Sequence, residues 1–201
     1  FKLDTSSENS HLSTSIEIYE DLTKKNSDRF EYIYPNLSYS KNLENFDNLG
    51  QLEFNSEAFQ KKFNTNQYEA SLINNLLFKS NKNITKNGFL NGYSLLLRNV
   101  NFDFNNSLEF ENNNKHKLLT TMLFESKYPL KKVGKNQTSF LTPILSARIS
   151  PNKTKNIKNL DRKISYSNIY SLDRLGETDM VEGGFSLTLG SEYSIDNSNN
   201  D

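Results

Sequence analysis

The chain has 201 residues, 24 of them basic and 24 acidic, with no cysteine, no tryptophan and only 34% hydrophobic residues. The charge balance excludes the basic field of a nucleic-acid binder. The missing cysteines exclude a disulfide scaffold, a thiolate metal site and a cysteine nucleophile in this stretch, and no apolar run approaches the ~18 residues of a membrane-spanning helix. Such polarity alone would suggest disorder, yet 14 Phe and 10 Tyr are too many for a solvated coil.

The chain opens FKLDTSSENS and closes SIDNSNND, with no initiator Met, signal segment or closing aromatic residue. Residues 1–201 are therefore expected to be one partial domain, a fragment of a larger protein. Within it the apolar residues recur with period two, the period of a strand. In chain order the expected strands are Leu12–Leu22, Arg29–Ser40, Leu49–Gln60, Gln67–Lys79, Phe89–Phe104, Lys117–Leu130, Thr138–Ser150, Lys163–Leu172 and Val181–Ile195. Polar clusters separate them: Lys24–Asp28, Lys41–Asn48, Lys61–Asn66, Lys79–Gly88, Asn105–Asn114, Lys131–Gln137 and Pro151–Asn159.

Tyr68–Phe78 admits a competing helical reading through Leu72, Leu76 and Leu77, but Asn74 and Asn75 disfavour a helix interior. Pro35, Pro129, Pro143 and Pro151 should mark bulges or strand ends. The expected fold is all-β, an antiparallel up-and-down meander of about nine strands.

The last expected strand sorts most cleanly. Val181, Gly183, Phe185, Leu187, Leu189, Ser191, Tyr193 and Ile195 fall on one side, and Glu182, Gly184, Ser186, Thr188, Gly190, Glu192 and Ser194 on the other. At ~3.3 Å per residue it could extend about 45 Å, long for a soluble strand. Phe89–Phe104 sorts likewise, with Leu90, Leu96, Val100, Phe102 and Phe104 opposite Asn91, Asn99, Asn101 and Asp103.

Long strands with one apolar face fit two situations. In a soluble sandwich the apolar face is the core. In an outer-membrane barrel it meets lipid and the polar face lines water. Strand length, Tyr and Phe near strand ends (Tyr32, Tyr34, Tyr39, Tyr128, Tyr166, Tyr170, Tyr193) and the small polar residues of the second face favour the barrel.

From Leu118 onward the order of motifs is more specific. Leu141-Thr142-Pro143 leads into Pro151-Asn152. Asn168-Ile169-Tyr170 and Asp173-Arg174-Leu175-Gly176 follow, and then Gly184 in Gly183-Gly184-Phe185-Ser186-Leu187. This order, over Leu118–Ser194, resembles the C-terminal barrel of the lipopolysaccharide-assembly outer-membrane protein family LptD, also called organic solvent tolerance protein (OstA). Thr142 stands where that family more often has Glu. Upstream, only Tyr34-Pro35-Asn36-Leu37-Ser38-Tyr39 is similar to a family motif.

The resemblance implies an integral outer-membrane channel of a Gram-negative bacterium that delivers lipopolysaccharide to the outer leaflet. It implies a plug lipoprotein similar to LptE and a periplasmic bridge protein similar to LptA, received by a jelly-roll domain outside residues 1–201. It implies no cofactor, nucleic acid or catalysis. On this reading 1–201 forms an open curved sheet if alone. Arg148, Glu182, Ser186, Thr188 and Glu192 face the lumen, and Phe185, Leu187, Leu189 and Tyr193 face lipid. Asn168, Asp173, Arg174, Gly176 and Gly184 form the family's turn motif, with Asp173 and Arg174 holding the turn.

Other chemistries have less behind them. Asp173, Glu177, Asp179 and Glu182 lack the spacing of a calcium loop, His11 and His116 are isolated, and no serine sits in a nucleophile elbow. Lys131, Lys132 and Lys135 form a small basic patch, suited to a solvated turn or to anionic headgroups. The alternatives to an export barrel are a porin-like or receptor-type barrel and a soluble β-sandwich adhesin or carbohydrate-binding domain.

Overall fold

The computed structural model describes residues 1–24, 29–46, 49–63, 67–106, 115–135, 137–153 and 163–197. It holds eleven strands: β1 (Lys2–Ser7), β2 (Ser10–Glu20), β3 (Phe30–Phe46), β4 (Gly50–Phe63), β5 (Tyr68–Ser80), β6 (Asn83–Ile84), β7 (Leu90–Asn105), β8 (Lys115–Lys127), β9 (Leu130–Val133), β10 (Thr138–Ser150) and β11 (Gly184–Asp196). They form one open antiparallel sheet in the order β1-β2-β3-β4-β5-β7-β8-β10-β11, with β6 beside β7 and β9 beside β10. The described residues contain no α-helix. The fold is thus an all-β meander, and Tyr68–Phe78 is a strand.

Two compact units make up the chain. One comprises Phe1–Phe46, Gln51–Leu77 and Leu97–Leu119, the other Asp47–Gly50, Phe78–Leu96 and Thr120–Asp201.

In the first unit, Ser15 pairs with Asn36 but Glu17 pairs with Ile33, so β3 carries one extra residue at Tyr34-Pro35. Proline has no N–H to give the ladder, which makes this the natural place for a bulge. Arg98 Nε donates to Asn75 Oδ1 at 2.7 Å and the Lys117 ammonium lies 5.9 Å from the Phe102 ring centre. The odd residues of β5, the even ones of β7 and the odd ones of β8 therefore share a face. That face buries Ser71, Ile73, Val100, Phe104 and Leu119. The opposite face carries Ser56 donating to Asn74 (2.8 Å) and the His116–Asn101 contact (2.9 Å), and it leaves Leu72 exposed. In this unit the apolar side of β7 consequently lies on the buried face.

In the second unit, β10 pairs along its whole length with β11, from Thr138 opposite Asp196 to Ser150 opposite Gly184. On its other edge the neighbour changes. Residues Ile144–Ile149 pair with β8, and Thr138–Leu141 pair with β9. Pro143 sits at the changeover, where its carbonyl accepts from Tyr128 N–H at 3.0 Å. Pro129 lies between β8 and β9, and Pro151 directly follows β10.

Three expectations are corrected. Lys163–Leu172 is not a strand but a run of turns. The last strand begins at Gly184, not Val181. The expected separators Lys41–Asn48 and Lys61–Asn66 are partly strand, since β3 runs to Phe46 and β4 to Phe63. Strands β1, β6 and β9 were not expected. The separators Lys24–Asp28, Asn105–Asn114 and Pro151–Asn159 lie largely outside the described residues.

Candidate functional site

The register of β8, β10 and β11 sorts their side chains onto two faces. Arg148 stands opposite Ser186 on one side and Leu123 on the other, Ser146 opposite Thr188 and Glu125, and Thr142 opposite Glu192. The intervening rows are Ile149 with Phe185 and Met122, Ala147 with Leu187 and Phe124, Leu145 with Leu189, and Leu141 with Tyr193. Directly opposed residues in an antiparallel pair share a face, so the first set is polar apart from the buried Leu123, with the buried Ile144, opposite Gly190 and Lys127, on the same face, and the second is almost wholly apolar.

The two faces differ in cover. Phe185, Leu187, Leu189 and Tyr193 are 69, 63, 79 and 63% exposed. Met122, Phe124, Leu141, Leu145 and Ile149 are exposed as well. On the polar face Ser146, Arg148 and Ser150 are buried and Ser186 and Thr188 half-buried, whereas Glu192, toward the far end of β11, is open to solvent.

What covers the polar face is the stretch 163–183 of the connection between β10 and β11. Its turns are held by side chains. Asn168 donates through Nδ2 to the carbonyls of Lys163 (2.9 Å) and Arg174 (3.2 Å), while its Oδ1 accepts from Ser165 N–H at 2.8 Å. These bonds give the main chain local partners, and that is why an alternating segment does not extend into a strand. Asp173 Oδ1 accepts from the N–H groups of Leu175 and Gly176, both at 3.3 Å. Gly176 has φ +65°, a conformation that favours glycine at a turn.

Arg148 ties this segment down. Its side chain is 3% exposed; Nε donates to the Leu172 carbonyl at 2.9 Å and Nη2 to the Glu182 carbonyl at 2.7 Å. One strand residue thus holds both limbs of the connection. Arg174, 5% exposed, grips the Glu182 carboxylate with two bonds, Nε to Oε2 at 2.7 Å and Nη2 to Oε1 at 2.6 Å. Arg148 Nη1 lies 3.8 Å from the same carboxylate. Bidentate, charge-assisted pairing is the strongest form such contacts take. Near the base of the connection, Asn152 Nδ2 donates to Ser150 Oγ and the Thr120 carbonyl, each at 2.7 Å.

Glu182 therefore lies in the connection rather than on the strand. Gly184, at φ +96°, makes the junction, a backbone conformation that a side chain disfavours. The reversal there breaks the alternation, so Val181 is 1% exposed and does not share the open face of Phe185. The Arg174 guanidinium likewise serves Glu182, while the Asp173 carboxylate and the Asn168 amide hold the turn.

The structure brings Arg148, Asn168, Asp173, Arg174 and Glu182 together, with Ser186 and Thr188 beside them on β11. It does not bring Glu192 into the cluster. Both arginines donate to Glu182 and Arg148 also to the Leu172 carbonyl, so the cluster acts as a clamp. Among the described residues no group of His, Cys, Asp or Glu side chains could hold a metal ion.

One contact had no signal in the sequence. Tyr170 lies against Gly190, so closely that a β-carbon there would overlap its hydroxyl. Gly190 is visible in the polar row of β11, but nothing in the spacing links it to Tyr170. Compared with protein-family models, curated proteins and solved structures, the chain finds no match.

Proposed function

We propose that this chain forms part of the wall of an outer-membrane β-barrel, with the face of Phe185, Leu187, Leu189 and Tyr193 toward lipid and the face of Arg148, Ser186 and Thr188 toward the lumen. The observation that carries the reading is the pair of unlike faces on β8, β10 and β11. One is apolar and open, the other mostly polar, with Leu123 and Ile144 buried in it, and covered by its own connection. A soluble sandwich would bury the apolar face under a second sheet, whereas a bilayer wants it bare. Phe185 to Tyr193 is nine residues, about the length a tilted strand needs to cross the hydrocarbon.

The particular barrel follows from the motif order between Leu118 and Ser194, which resembles the LptD family. The proposed activity is delivery of lipopolysaccharide to the outer leaflet, with an LptE-like plug and an LptA-like bridge as partners. No step needs acid–base chemistry; the wall supplies an apolar exterior and, around Arg148, Ser186 and Thr188, a polar stretch of the bore. The test is depletion of the complete protein in its own cell. Lipopolysaccharide should fail to reach the surface while lipoproteins and porins still arrive. Normal surface lipopolysaccharide would remove the export reading.

A second reading has one observation in its favour. A connection clamped onto the polar face by Arg148 is what a passive porin uses to narrow its bore. Reconstituted barrels that conduct small ions steadily, without lipopolysaccharide transfer, would favour it.

A further inference from the structure

We propose that the groove where β9, β10 and β11 meet on the apolar face is a binding site for an anionic glycerophospholipid, its phosphodiester held by Lys132. The inference rests on the barrel-wall reading above and adds a ligand to it. Leu130 and Tyr193 flank Leu141 in one row, and Lys132 and Ile195 flank Ser139 in the next. Leu130, Lys131, Lys132, Ser139, Leu141 and Tyr193, with the tight turn at Gly134 and Gln137, line a groove of about 430 Å³. Gly134 N–H donates to the Gln137 carbonyl at 2.8 Å and so shapes its end.

Position makes this more than a solvated turn. The apolar rows run from Ile149–Phe185 to Leu141–Tyr193, and Lys132 comes one row later, ~7 Å along the strand. If those rows lie in hydrocarbon, Lys132 lies at headgroup level. Tyr193 stands beside it, the residue type that marks that boundary. The groove floor (Leu130, Leu141) is apolar and exposed, as an acyl chain requires. Lys131 turns the other way, its ammonium 5.6 Å from the Phe140 ring centre. Lys131 lines the groove but stands in the row of Phe140, so among the described residues of β9 it is Lys132 whose ammonium the register places on this face, with no described carboxylate pairing with it. The single charge of this row matches one phosphodiester. That stoichiometry suits a glycerophospholipid better than the several phosphates of a lipopolysaccharide.

The full chain and its K132E and K86E variants would be floated with vesicles of phosphatidylcholine alone or mixed with phosphatidylglycerol. The lipid retained after detergent extraction would then be analysed. Lys86 is exposed and lies outside the groove. All three proteins should float with both vesicles. Wild type and K86E should retain phosphatidylglycerol about fivefold above its share, the factor expected of one lysine near an anionic surface, and K132E should retain none of that excess. Equal retention by wild type and K132E, or a preference for added lipopolysaccharide, overturns the site while leaving the wall intact. Failure of wild type to float with phosphatidylcholine overturns the wall and the site together.

Discussion

The hydroxyl of Tyr170 occupies the space that a β-carbon would take on Gly190. With the bonds of Arg148, this contact sets how closely the segment around Tyr170 lies on the polar face, because only a residue without a side chain leaves room for the ring. Gly190→Ala should lift the segment. The next ring atom is 3.4 Å from the same point, an ordinary contact, so removing the hydroxyl should relieve the clash. Protease cleavage between Lys163 and Val181 should rise in Gly190→Ala and return to the wild-type rate in Gly190→Ala with Tyr170→Phe. No rescue by the second change would mean that Tyr170 does not rest on Gly190.

Glu182 serves two arginines, so its loss costs more than one contact. Glu182→Gln removes the carboxylate that Arg174 grips and leaves Asp173 as the remaining opposite charge near Arg148. The expected loss of local stability is about 3 kcal/mol, toward the low end for breaking a buried pair because Glu182 keeps 23% of its side chain in water. Amide exchange from Leu172 to Val181 should quicken by roughly two orders of magnitude, with the β10/β11 ladder unchanged. Unaltered exchange would show that the main-chain bonds of Arg148 suffice.

Leu187 and Thr188 are neighbours on opposite faces, which makes them a matched pair. Leu187→Arg should cost about 2–4 kcal/mol of membrane assembly if it lies near the bilayer midplane, and Thr188→Arg much less. The readout is the fraction of protein recovered in a folded, heat-modifiable form. The reverse ranking would turn the sheet inside out.

Gly50 opens β4 at φ +150°, and a β-carbon there would overlap the Lys79 carbonyl oxygen and come within 2.7 Å of Ser80 Cα. Both obstacles are backbone and cannot rotate aside. Gly50→Ala should destabilise the protein by about 2 kcal/mol, seen as a lower denaturant midpoint. A wild-type midpoint would mean that the strand ends yield freely.

Asp21, between β2 and β3, accepts from the Thr23 hydroxyl at 2.6 Å and the Thr23 N–H at 3.0 Å, and these bonds hold its carboxyl below the usual range. A depressed folded value stabilises the turn above the ordinary carboxylate range, and that contribution is lost as pH falls through the folded value. The Thr23 amide should therefore exchange faster, relative to its intrinsic rate, in acid than at neutral pH. No acid-specific change would show that the turn does not depend on the charge.

Strands were legible wherever their two faces meet different surroundings. In β11 the alternation is clear because every second residue from Phe185 to Ile195, Ser191 apart, is bare and apolar. β1 escaped because Lys2–Ser7 is exposed at every position and is held by its ladder to β2, from Lys2 opposite Ser15 to Ser7 opposite Ser10. Its sequence carries no contrast to read. Lys163–Leu172 erred the other way: Ile164, Tyr166, Tyr170 and Leu172 alternate, but the Asn168 side chain captures the main chain first. The clamp was half visible. Arg148, Arg174 and Glu182 stood out as charges, but a pairing across 34 residues leaves no periodic trace. The β7 stripe shows a limit of the same kind, since periodicity separates two faces without saying which is covered.

The long connection also bears on the order of events during folding. Strands β1 and β2 are joined by two residues, Glu8 and Asn9, while 33 separate β10 from β11. Closing the longer loop costs about 2 kcal/mol more in chain entropy. The early hairpins therefore zip from local encounters, and β11 arrives late, its registration awaiting the capture of Leu172 and Glu182 by Arg148. A guanidinium on the penultimate strand thus becomes a timer for completing the sheet.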